Sequence, residues 1–95
     1  MHITTRQRIN AFIEQYPDSK SSLENWYRIV KRSNYESFAD VRQHFGSADN
    51  VDAFVGFNIS GNKYRLIAVI HYNRKKVYIR HVLTHAAYDR NKWKQ

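Results

Sequence analysis

Between Lys63 and Tyr72 the chain alternates Tyr64, Leu66, Ala68, Ile70 and Tyr72 against Arg65, Ile67, Val69 and His71. Alternation at period two is a strand, and apolar side chains on both of its faces require cover from both sides. Such a strand sits in the middle of a sheet, so the rest of the chain must supply neighbouring strands and a packed layer. The basic turn Asn73-Arg74-Lys75-Lys76 follows, and Val77 to Thr84, rich in β-branched residues, returns as a second strand. Arg65 lies inside the pattern. A long basic side chain there either reaches out to water or lines a concave site for an anionic ligand.

The charge distribution favours the ligand. Residues 1–60 carry seven Lys and Arg against seven Asp and Glu. Residues 61–95 carry nine against Asp89 alone, so the net charge of +8 belongs to the C-terminal third. A split of this kind points to a polyanion partner. Ninety-five residues predict one domain over 1–95, with hydrophobic content of 42% and aromatic content of 15% ample for a core. The absence of cysteine excludes a disulfide framework and a thiolate metal site or nucleophile. No apolar run approaches a membrane span or the apolar core of a signal peptide, so a cytoplasmic protein without membrane contact is expected.

Met1-His2-Ile3 reads as a short strand, and Thr4 or Thr5 as the cap of a helix with Ile9, Phe12, Ile13 and Tyr16 on one face. Pro17 stops that helix. Ser21 and Glu24 have capping-box spacing ahead of the stripe Leu23, Trp26, Tyr27 and Val30, with Asp18 an alternative start. Trp26 and Tyr27 read as core rather than as base-stacking residues. A third helix is expected from Ser37 to Phe45, then a loop over 46–50, a strand from Val51 to Ile59 and a turn at Ser60-Gly61-Asn62. The helical half thus covers about 4–46, and the β-meander with its basic surface about 51–95. The fold class is α+β, N-terminal helices packed on one face of a mainly antiparallel sheet, with basic groups on the other face.

Hard divalent ions need clustered carboxylates, and the basic third has one. The five histidines form no helical metal motif, and three glycines make no phosphate cradle. Metal-free, cofactor-free chemistry on a phosphodiester remains. RNA is cut by its own 2′-hydroxyl once a base takes the proton, cations stabilise the phosphorane and an acid protonates the leaving oxygen. His85, Tyr88, Arg65, Arg80 and Lys63 supply such groups in the late strands and tail. A non-catalytic RNA-binding surface would share this composition.

The run FNISGNKYRLIAVIHYNRKKVYIRHVLTHAAYDRNKW, Phe57 to Trp93, resembles the toxin of HigB-type toxin–antitoxin modules in the RelE superfamily, and WYRIVKRSNYESFADVRQHFGSADNV, Trp26 to Val51, resembles the same family's helical half. The resemblance implies a small RelE-like domain that cleaves mRNA, generally at the ribosome. It also implies a cognate helix-turn-helix, HigA-like antitoxin, with operator DNA reached only through that antitoxin. By the same resemblance Arg65 stands near the scissile phosphate, His85 does acid–base work, and Tyr88 matches a C-terminal tyrosine of RelE-like toxins. Lys63 and Arg80 fit as phosphate contacts, and Arg74, Lys75 and Lys76 extend the RNA-binding set. Ala87 replaces the glutamate usual in TH-x-Glu-Tyr-Asp; if that carboxylate orients His85 or Tyr88, lower activity is expected. Gly46 stands where a proline is common.

Strand register stays open at this level. An even-length loop puts Arg65 on a face with Arg80 and Thr84, and a three-residue loop puts it with His81 and His85, because a one-residue slip flips every side chain. His71 and His81 read as surface or satisfied histidines, and Arg80 has a salt bridge to Asp89 or to antitoxin as its alternative. Three functions compete: a ribosome-dependent endoribonuclease toxin, a non-enzymatic inhibitor of the gyrase-poisoning type, and a plain RNA-binding module.

Overall fold

The twice-covered strand is β4, Tyr64–His71, third in a five-stranded sheet. The computed structural model describes residues 1–90 and 93. In chain order it runs β1 (His2–Thr4), α1 (Arg6–Gln15), a 3-10 turn (Pro17–Ser19), α2 (Lys20–Arg32), α3 (Phe38–His44), β2 (Asp49–Val51), β3 (Phe54–Ile59), β4, β5 (Lys76–Thr84) and α4 (His85–Asp89). The sheet order is β1-β5-β4-β3-β2; β1 lies parallel to β5 and the other pairs are antiparallel. This is the expected α+β architecture, with the N-terminal strand added at the β5 edge.

Cross-strand partners share a face, which divides the sheet cleanly. Val55, Phe57 and Ile59 of β3 pair with Ala68, Leu66 and Tyr64, and Val77 and Ile79 of β5 join them opposite Ile70 and Ala68. These side chains form one buried cluster with Ile9 and Phe12 of α1, Leu23, Trp26 and Val30 of α2, and Val41 of α3. Trp26 meets Phe57 edge-on at 5.4 Å, and Phe12 meets Tyr64 likewise at 5.1 Å. Trp26 is therefore core, as its helical spacing implies. The opposite face carries Gly56, Asn58, Arg65, Ile67, His81 and Leu83.

The register resolves both sequence alternatives at once. Near the turn His71 pairs with Lys76, an even-length loop. The register then shifts between Ile67 and Ala68, whose partners are His81 and Ile79, so Arg80 is the extra residue of a β-bulge. Beyond the bulge Arg65 pairs with Leu83 and shares its face with His81. Sequence spacing alone carries no mark of the bulge.

Several boundaries differ from expectation. Asp49–Val51 is a strand of its own, folded back on β3 through Asp52-Ala53, with Asp52 left-handed at φ 55°. Thr5 precedes α1 in a left-handed conformation and makes no side-chain cap bond. The second helix starts at Lys20 rather than Ser21, because Pro17, with its fixed φ, opens a 3-10 turn that feeds straight into it. The helix α4, His85–Asp89, adds to the expected elements. Its start is marked by Thr84, whose hydroxyl accepts from the Ala87 amide at 3.2 Å.

Candidate active site

Arg65 does not reach water. It is 4% exposed and buried on the face away from α1, α2 and α3. A buried guanidinium is costly unless its donors are met, and three elements meet them. Nη1 donates to Asn58 Oδ1 on β3, and Nη2 donates to Asp49 Oδ2 on β2 at 3.1 Å and to Tyr88 Oη on α4 at 3.3 Å. Nε alone has no partner among the described residues. The space for this fork comes from Gly56, where a Cβ would stand 2.7 Å from Nη2.

Tyr88 closes the site from above. The Arg65 guanidinium carbon lies over its ring, 4.4 Å from the centroid, and Trp93 stacks on the ring at 5.3 Å and 13°. The Trp93 indole donates to the Tyr88 carbonyl at 3.0 Å and meets Phe54 edge-on at 5.5 Å. The result is a layered stack of cation, phenol and indole fastened to β3. His85, one turn back on α4, has its ring 6.1 Å from that of Tyr88, and its Nδ1 is 3.2 Å from Asp89 Oδ2. Asp89 joins the candidate site through this contact, a pairing not among the sequence expectations. Its i+4 spacing from His85 on a helix was the available signal.

Arg65, His85 and Tyr88 are thus brought together. Lys63 stands close by in the chain but is engaged elsewhere: it bonds Asp18 in the 3-10 turn, whose other oxygen accepts from the Tyr64 hydroxyl at 2.7 Å. The Lys63 ammonium holds the Asp18 carboxyl below its usual range, with the Tyr64 bond adding to it, and the Asp18 bond raises Lys63 and Tyr64 in return. The amide of His85 donates to the Lys63 carbonyl at 3.2 Å, which ties the start of α4 to the start of β4. Arg80 is exposed at the bulge and pairs with no acid among the described residues; Asp89 pairs with His85 instead. Arg74, Lys75 and Lys76 lie at the other end of the hairpin, roughly 20 Å from Arg65 along β4, and Lys75 Nζ donates to the Tyr35 carbonyl at 3.0 Å. Burial pushes His81 below the ordinary imidazole range; Arg8 and Arg80 push the same way, and a hydrogen bond to the Trp93 backbone opposes them.

Residues 19–91 match the family model described as HigB_toxin, RelE-like toxic component of a toxin-antitoxin system. The chain is similar to the mRNA interferase toxin HigB of Escherichia coli strain K12, 30% identical over 94% of this chain and 88% of that protein. It is similar to the mRNA interferase HigB of Shigella flexneri to the same extent. With the mRNA interferase HigB of Escherichia coli O6:H1 it is 27% identical, over 95% of this chain and 90% of that one.

Proposed function

The chain belongs to the HigB family, the RelE-like toxic components of toxin–antitoxin systems, and from that premise we infer that it is an endoribonuclease cleaving mRNA at the ribosome without a metal. The observation that carries the reading is the α4 cluster, where Tyr88 and His85 stand beside a buried cation on the sheet face free of the N-terminal helices. The His85 imidazole, oriented by Asp89, takes or returns the proton of the 2′-hydroxyl or the leaving oxygen. Tyr88 holds the reacting nucleotide or shares that transfer. Arg65 sits behind Tyr88, where its charge stabilises negative charge building on the phosphorane without being diluted by water. Lys63 and Arg80 are assigned to flanking phosphates, Lys63 by exchanging Asp18 for the RNA.

A toxin of this family works against a cognate antitoxin. A HigA-like, helix-turn-helix antitoxin with an acidic segment suits a protein whose charge lies on one side, and it would carry the complex to operator DNA. A ribosome-bound substrate places the activity in the cytoplasm. The test is expression in growing cells with mapping of transcript ends. Codon-phased cuts that fall by a hundredfold or more in His85→Ala and Tyr88→Phe, with antitoxin binding retained, are the expected result. DNA damage without RNA cuts would replace the enzyme with the gyrase-poisoning reading.

A further inference from the structure

The Tyr88 ring already packs against two groups, the Arg65 guanidinium 4.4 Å from its centroid and the Trp93 indole stacked at 5.3 Å. A base entering this site therefore competes with Arg65 and Trp93 for stacking on Tyr88. Farther along the same sheet face a second aromatic pair stands open. Val69 pairs with Tyr78 and His71 with Lys76, so Tyr78 and His71 lie on the Arg65 face, roughly 13–20 Å from Arg65 at the strand rise. Their rings meet edge to face, 5.2 Å apart and at 74°, a geometry in which neither ring is stacked on the other. His71 is exposed and Tyr78 half-buried.

The surroundings of that pair are cationic. Lys76 is the cross-strand partner of His71, Arg74 lies in the turn beside it, and Arg80 is the exposed bulge residue two places beyond Tyr78. None of the three makes an ion pair among the described residues. The sequence holds no Asp or Glu between Asp52 and Asp89. Aromatic rings on a sheet face, flanked by unneutralised Lys and Arg, are what single-stranded RNA needs: rings for bases, cations for phosphates.

We propose that the His71–Tyr78 pair is a second RNA subsite, a stacking platform that holds the single-stranded mRNA leading away from the scissile bond, with Arg74, Lys76 and Arg80 on its phosphates. The proposal rests on the RNA-cleaving reading of the Arg65–Tyr88 site and extends it to a track along β4 and β5. It also gives the turn cations, remote from the α4 cluster, a place on the substrate.

The experiment uses the purified full-length protein and 2′-O-methyl oligoribonucleotides, which bind but cannot be cut. One probe is of about eight nucleotides, within the usual single-strand site size, and the other is a dinucleotide. The variant His71→Ala, Tyr78→Leu should bind the longer probe roughly tenfold or more weakly and the dinucleotide as the parent does. Tyr78→Phe, which keeps the ring, should match the parent on both. Should the double variant cost Tm, His71→Ala alone, at the exposed strand end, reads the same contrast. Parent-like affinity of the double variant for the longer probe overturns the proposal, as does an equal loss on both probes. So does a loss confined to mRNA-free ribosomes, which assigns the pair to ribosomal RNA, or to antitoxin, which makes it a protein interface. Platform-dependent binding without transcript cleavage in cells would sink the nuclease reading and leave the subsite standing.

Discussion

A methyl group at Gly56 would meet Arg65 Nη2 at 2.7 Å, closer than real Cβ contacts come. The atom in the way belongs to a flexible side chain, so the backbone need not move. The guanidinium must, and it is the group that Asp49, Asn58 and Tyr88 share. Gly56→Ala is therefore expected to lower mRNA cleavage by roughly tenfold to a hundredfold, the range that misplacing a catalytic group by about 1 Å produces. Stability should drop by no more than about 1–3 kcal/mol, as for other overpacked sites. Initial rates beside a thermal melt check this. An unchanged rate would mean that the position of the guanidinium does not matter to the reaction.

At the scale of elements, α4 and the 3-10 turn both hold the start of β4. On α4, His85 and Asp89 are one turn apart and face each other, whereas position 87 is two residues from His85 and lies on another side of the helix. Ala87 lines a groove with Gln15 and Tyr16 instead. A carboxylate at position 87 would point there, and Asp89 already supplies one to His85. Asp89→Ala is thus expected to reduce cleavage, and Ala87→Glu to leave it within about twofold of the parent on this spacing argument; a large gain from Ala87→Glu would contradict it. At the 3-10 turn, Asp18 ties Lys63 and Tyr64 to the helical layer. Its carboxyl is lowered in the fold, so the unfolded chain binds the extra proton between the two values. The contribution to stability is present above the ordinary carboxylate value of about 4 and is lost as pH falls through the folded one. Asp18→Asn should flatten the acid limb of a Tm-versus-pH curve below about pH 4, with little change near neutrality in its slope.

For the molecule as a whole, one core and one charged face set the behaviour. Trp26 and Phe57 are 1% exposed and meet across the helix–sheet boundary. Phe57→Ala should cost about 3–5 kcal/mol by lost burial and the cavity left behind, read from chemical denaturation. The charged face shows itself through salt. Affinity for RNA should fall steeply and linearly on a log–log plot, and Lys76→Gln and Arg80→Gln should each reduce the slope by about one. Lys20→Gln, on the helical side, should leave it unchanged. Equal effects at all three positions would reduce the interaction to bulk charge.

Periodicity and charge are properties of neighbours in the chain, and what they control could be read from the chain. The two-sided strand at Lys63–Tyr72, the helical stripes with Trp26 inward, the α+β class and the concentration of charge after Gly61 are of this kind. Arg65, His85 and Tyr88 stand out as candidates because a charge in a strand pattern and a histidine at a strand end are local anomalies, and the family resemblance points to all three. What joins them is not local. Asp49 lies 16 residues from Arg65 and Tyr88 lies 23 away, and no spacing rule connects them. Gly56, paired with Ile67, comes beside the Arg65 guanidinium only through the β3–β4 register, and the bulge at Arg80 moves His81 and Leu83 to the Arg65 face. The helix α4 is five residues long, too short for a stripe to show, and it is held in place by the Arg65–Tyr88–Trp93 stack. The chain by itself determined which residues carry charge and which apolar stripes turn to the core. Tertiary structure alone decided that Arg65 is turned inward against Tyr88, because only folding brings three acceptors from β2, β3 and α4 to one guanidinium.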